Sequence, residues 1–202
     1  MANVFVPFGF AQRSGTGSSP TYEQVTVTTN YNTANIFFCD PVFRLAADGT
    51  IAGITTGPGP GTTAIAGVFV GCKYPSVAQK RTTWSNYWPG SDVASTNSVE
   101  SYIINDPAAQ FIAQVGTSTS TGIVAANVGL NVQFAYGTGT TANGISGAYV
   151  DISVTPATTN TLPFRIVRII TDPPGAPGTA TGANNLVQVA FNNVETKQLL
   201  AV

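Results

Sequence analysis

With no histidine anywhere in the chain, general acid–base work would fall to carboxylates, lysine or tyrosine. Nucleophilic work would fall to serine, threonine or cysteine with a base other than imidazole. The nine acidic residues are spread widely, and three of them, Asp40, Asp106 and Asp172, stand immediately before a proline. Aspartate before proline characteristically satisfies local backbone groups in a turn. A glycosidase needs only two carboxylates, and the fold could draw a pair from these three, but no spacing selects any two. Cys39 and Cys72 lie far apart and fall short of the four Cys or His ligands of structural zinc, so no metal or cofactor is expected. Both are expected to be buried free thiols, because free cysteine behaves as a small core hydrophobe. Gly137-Thr138-Gly139-Thr140 lacks the Gly-Lys-Ser/Thr ending of a phosphate loop. The expectation is a protein that is not an enzyme.

The elements that position these residues follow from periodicity. Residues 102–115 run from a β-rich segment, Tyr102-Ile103-Ile104, through the corner Asn105-Asp106-Pro107 into a second apolar segment. That is strand, turn, strand. Ile36-Phe37-Phe38 before Asp40-Pro41, and residues 164–170 before Asp172-Pro173, repeat the grammar and read as strand ends. Residues 22–30, 42–45, 51–54, 64–72, 130–134 and 186–191 alternate or run apolar as strands do, and Asp48-Gly49 signals a hairpin. Helical periodicity is confined to a single turn at residues 93–101 or 107–111, while residues 76–88 read as the most irregular region. About eight to twelve short strands with long Gly/Pro/Thr-rich loops and minimal helix predict an all-β fold, an antiparallel sandwich or barrel-like domain.

Composition narrows the function. At 202 residues a chain buries roughly 70% of its unfolded surface. Charged residues make up only 8% against 43% hydrophobic, where a soluble domain has about 25% charged. A surface covered in part by partners and otherwise wetted by Thr, Ser, Asn and Gln accounts for this. A spanning helix is not expected, because no run approaches the roughly 18 apolar residues it needs; a membrane barrel, whose strands alternate only weakly, is the minor alternative. Nucleic acid is not expected either: the net charge is −1, and the eight basic residues are scattered apart from Lys80-Arg81 and Arg165/Arg168. The amino terminus has neither a basic n-region nor an unbroken apolar h-region, so no secretory signal is expected there.

Two apolar clusters are candidate partner surfaces. Val4, Phe5, Val6, Phe8 and Phe10 place five large apolar side chains in seven positions, followed by a Gly/Ser linker over residues 13–20. The expected organisation is therefore an arm and linker over residues 1–20 and one β-rich domain, of one or two packed lobes, over residues 21–202. The arm is either an edge strand on its own core or a segment that docks on a partner. Trp84, Tyr87 and Trp88 contain both tryptophans of the chain, and they either plug a local core or face a partner.

Met1-Ala2-Asn3 with Pro7-Phe8-Gly9, then Cys39-Asp40-Pro41-Val42, Gly67-Val68-Phe69-Val70-Gly71 and Asn105-Asp106-Pro107 with Phe111 form a series. It continues through Gly129-Leu130-Asn131, Gly137-Thr138-Gly139, Ile145-Ser146-Gly147 with Asp151, Leu162-Pro163-Phe164-Arg165-Ile166-Val167 and Asn192-Asn193. In this order the chain resembles the head-decoration, or structural cement, proteins of tailed bacteriophages over nearly its whole length, with Cys39 standing where that family has glycine. Each piece consists of turn glycines and core residues; their collinearity carries the resemblance. It implies a structural protein, made in the host cytoplasm, that binds the outer surface of the virion head and clamps neighbouring subunits. The partners implied are the major capsid protein and copies of itself, a trimer first and a dimer second. The partner surface would then use Val4, Phe5, Val6, Phe8, Phe10, Trp84, Tyr87 and Trp88. The alternative is a carbohydrate-binding or adhesin-like β-module presenting Trp84, Tyr87 and Trp88 as an exposed platform.

Overall fold

The computed structural model describes residues 3–15, 23–27, 34–53, 59–93, 99–116 and 121–197. Twelve strands follow in chain order among them: β1 (Ala11–Ser14), β2 (Glu23–Val27), β3 (Pro41–Arg44), β4 (Ile51–Ala52), β5 (Gly67–Ser76) and β6 (Arg81–Ser85), then β7 (Glu100–Ile104), β8 (Gln110–Gly116), β9 (Asn131–Tyr136), β10 (Ala148–Asp151), β11 (Phe164–Ile169) and β12 (Leu186–Phe191). The fold is all-β, as the periodicity predicts. The one helical element among the described residues is a 3-10 turn at Ala125–Asn127, not at either expected place; residues 94–98 lie outside the description, and Pro107-Ala108 is a plain turn.

Strands β8, β10, β9, β11 and β12 pair in that order, and β12 pairs back to β8, closing a barrel. All the pairs are antiparallel except β8 with β10. Alternation decides what fills it: Phe111, Ala113 and Val115 of β8 are fully buried, so Gln110, Ile112 and Gln114 face the outside of the wall. Phe134, Phe164 and Phe191 point inward from the other strands and join the same core.

The amino-terminal segment completes this wall. Along one edge of β8 runs β12; along the other, β1 pairs with Gln110 to Ile112 and β10 with Val115 and Gly116. The segment crosses between them, with Gly9 N–H donating to Ala148 O at 3.0 Å and Phe10 N–H to Cys39 O at 2.9 Å. Phe10 is fully buried, stacked on Phe164 with ring centroids 4.3 Å apart. Of the expected arm and linker, Ala11 to Ser14 are strand β1, Gly15 follows them, and residues 16–20 lie outside the description.

The second sheet runs β2-β7-β5-β3-β4, with β6 paired to β5. Its own core gathers Ile36, Val42, Phe69, Cys72, Tyr74 and Trp88 among others, while Phe43, Val68 and Ile104 reach into the barrel core. Asp106-Pro107 is the corner where the chain leaves β7 for β8, and so passes from one sheet to the other. Asp40-Pro41, expected to end a strand, opens β3 instead. Ile36 and Phe38 make only isolated bridges, to Trp88 and Ile145.

Cys39 and Cys72 are free and buried, and burial pushes both thiols up to about 12. A thiol held protonated and out of water is a poor nucleophile. Both should resist an aromatic disulfide reagent in the native chain and react together on unfolding; rapid native labelling, or a Cys39–Cys72 bridge in a peptide map, would contradict this placement.

Candidate functional site

The barrel's outer face carries an apolar edge made by residues 3–8. Asn3 clasps the 180–184 loop: its Nδ2 donates to Ala180 O at 2.8 Å and to Ala183 O at 2.9 Å. Gln114, facing outward on β8 yet only 4% exposed, holds the next turn of chain. Its Nε2 donates to Val4 O at 2.8 Å and Asn184 O at 3.0 Å, and its Oε1 accepts from Val6 N–H at 2.8 Å. These bonds fix the backbone and leave its side chains to choose sides. Phe5 turns onto the wall, edge-on to Tyr149 at 5.3 Å, in space that opens only because position 116 is glycine: an added Cβ there would stand 2.5 Å from the Phe5 ring. Val4 and Val6 turn outward, 73% and 66% exposed. Between Val4, Val6 and Phe8 on one side and Ala176, Pro177 and Leu186 on the other lies a groove of about 400 Å³.

Of the eight residues proposed from sequence as a partner surface, Val4, Phe5 and Val6 are exposed and Phe8 is half-buried at the groove. Phe10 and Trp88 are fully buried and are corrections: one fills the barrel, and the other packs edge-on to Tyr74 at 5.2 Å. Tyr87 is half-buried and stacked on Phe37 at 5.8 Å. The three-aromatic platform of the alternative reading therefore does not form, and of its members Trp84 alone stands in water, 60% exposed. Sequence reasoning missed Asn3 and Gln114. The signal available for Gln114 was an amide inside the apolar run of β8, where a buried side chain needs hydrogen-bond partners.

The acids do turn chemistry. Asp106 Oδ1 accepts from Ala108 N–H at 2.9 Å, and Asp172 is exposed ahead of Pro173. Asp40 is buried, accepting from Phe37 N–H at 2.8 Å and from the Ser146 hydroxyl. Loss of water around it outweighs these two bonds and raises its carboxyl from 3.8 to about 7. Because the folded state holds this proton more tightly than the unfolded chain, the stabilisation is complete below pH 3.8 and is lost as pH rises through about 7. Compared with Asp40→Asn, whose uncharged amide can accept from Phe37 N–H through its oxygen while its Nδ2 donates to the Ser146 hydroxyl oxygen in a reversed bond, the wild type should lose up to about 1.4 kcal/mol per pH unit across that window and run parallel to it above. Denaturant titrations of the two proteins from pH 4 to 9 test this, and parallel curves throughout would contradict it.

Among the described residues no group of three or more Cys, Asp or Glu side chains could hold a metal ion, and no helix is long and apolar enough to cross a membrane. No protein-family model, curated protein or solved structure matches the chain.

Proposed function

We propose that this chain is a capsid decoration protein, a cement that binds the outer surface of a phage head and stabilises contacts between capsid subunits. The observation that carries the reading is the edge of Val4 and Val6 beside the Ala176, Pro177 and Leu186 groove. Its backbone is bonded down through Asn3 and Gln114, so two aliphatic side chains are kept in water by design of the fold rather than by disorder. Such an edge, in a chain only 8% charged, can be covered by another protein without desolvating ions, and charged residues are depleted from interface cores. The collinear motifs support the same reading. Cys39, which stands where they have glycine, has φ 73°, the left-handed conformation that glycine adopts freely and other residues rarely do.

The partner is the major capsid protein, and copies of the chain meet around the symmetry axes of the head, as a trimer or else a dimer. The chain acts without catalysis or cofactor. The test is to add purified full-length protein to bare, expanded heads assembled from the major capsid protein of the same genome. Regular, symmetry-related extra density on the outer surface is the expected result; heads left bare at saturating protein would overturn the proposal.

A further inference from the structure

Strands β5, β6 and β7 present an outer face whose residues are fixed by register. Lys73 pairs with Trp84 on one side and with Glu100 on the other, so these three side chains share one face in a row across three strands. In the adjoining row Gly71 pairs with Tyr102. The opposite face is the core side, where Cys72 and Tyr74 are buried.

Trp84 does not stand upright in this row. Its indole leans along β5 over Gly71, where an added Cβ would lie 2.8 Å from indole Cζ2 and 2.9 Å from Ser85 O. Glycine at 71 lets the ring lie down on the sheet, and the ring is still 60% exposed. The Tyr102 hydroxyl donates to Glu100 Oε1 at 3.1 Å, which orients that carboxylate within the row. Strand spacing puts Trp84 and Glu100 about 10 Å apart with Lys73 between them.

We propose that this face is a saccharide-binding site, in which Trp84 carries the apolar face of a pyranose ring while Lys73 and Glu100 hold its hydroxyls. One sugar ring has both halves of the chemistry displayed here: axial C–H groups that stack on an aromatic face, and equatorial hydroxyls that both donate to a carboxylate and accept from an ammonium. A protein partner fits less well, because covering Trp84 would strip water from Lys73 and Glu100, and such charges are depleted at interface cores. The uncharged Val4/Val6 edge has no such cost. The site is independent of the decoration reading.

The chain has two tryptophans, one fully buried and one exposed, so acrylamide quenching reports on Trp84 alone. Full-length protein is applied to an array of immobilised bacterial and plant oligosaccharides, and the best-retained one is titrated while quenching is followed. The expected result is retention of at least one oligosaccharide, with quenching of Trp84 reduced about twofold at saturation by stacking over the ring. Trp84→Ala should weaken retention by about tenfold or more, Trp84→Tyr should restore most of it, and Glu100→Gln should weaken it severalfold. The near-ultraviolet dichroism of Trp88 against Tyr74 verifies that each variant is folded. The proposal is overturned if the array retains nothing, if Trp84→Ala binds as the wild type does, or if that variant keeps its sugar and loses only its grip on heads, which would make the face a protein interface.

Discussion

Replacing Phe10 by alanine should lower the stability of the isolated chain by about 3–5 kcal/mol, the range for a large aromatic lost from a packed core. Phe10 is fully buried, stacked on Phe164 and edge-on to Phe134, so the surrounding rings cannot close the space without leaving their own contacts. The same segment supplies β1 to the free part of the β8 edge, so deleting residues 3–14 should cost more than the point change and broaden or abolish cooperative unfolding. Urea titration of both variants measures this. A loss for Phe10→Ala below about 1 kcal/mol, the scale of an exposed site, would mean that the segment lies on the barrel without belonging to it.

The opposite split is expected at Val4 and Val6. Both are largely exposed, and the bonds that fix them use backbone groups of residues 4 and 6 with Gln114, so Val4→Asp with Val6→Asp should leave stability within about 0.5 kcal/mol of wild type. Occupancy on heads should collapse. Burying two valines contributes roughly 1.5–3 kcal/mol each, and removing that contribution while adding two carboxylates to be desolvated weakens binding by at least about two to four decades. Cosedimentation with expanded heads over a range of protein concentrations measures it. Unchanged occupancy would remove this edge from the interface.

Local periodicity made most of the fold legible. Residues 130–134, 164–170 and 186–191 alternate or run apolar because their strands line one core, and β9, β11 and β12 lie there. The hairpin at Asp48-Gly49 was legible because Gly49 has φ 72° and Asp48 Oδ1 accepts from Thr50 N–H at 3.0 Å. Strand β6 was not, and the reason is physical: Arg81, Thr82 and Trp84 are exposed and Thr83 and Ser85 half-buried, so no apolar face marks a period of two. Closure was equally hidden. The pairing of β12 with β8 and the insertion of β1 beside β10 join segments far apart in sequence, and nothing local records which edge accepts which strand.

For the site, sequence alone located the aliphatic edge but could not divide it. Val4, Phe5, Val6, Phe8 and Phe10 read alike by type; Phe10 is inside because Gly9, at φ 81°, turns the chain through the wall, and that turn depends on Cys39 and Ala148 arriving from elsewhere. Trp84 and Trp88 were inseparable for the same reason. Trp88 exchanges backbone hydrogen bonds with Ile36 at 3.0 and 2.7 Å and so falls into the second core, whereas Trp84 sits on the wet side of β6.

The central claim is that the Val4/Val6 edge is the face that meets the capsid. A side-chain-resolution reconstruction of expanded heads decorated with the wild-type chain tests it most directly. The expected map has Val4, Val6 and the Ala176-Pro177 loop packed against capsid subunits, with Trp84 in solvent. A map in which the chain sits on the head through the Trp84 face, with Val4 and Val6 open to water, would contradict it.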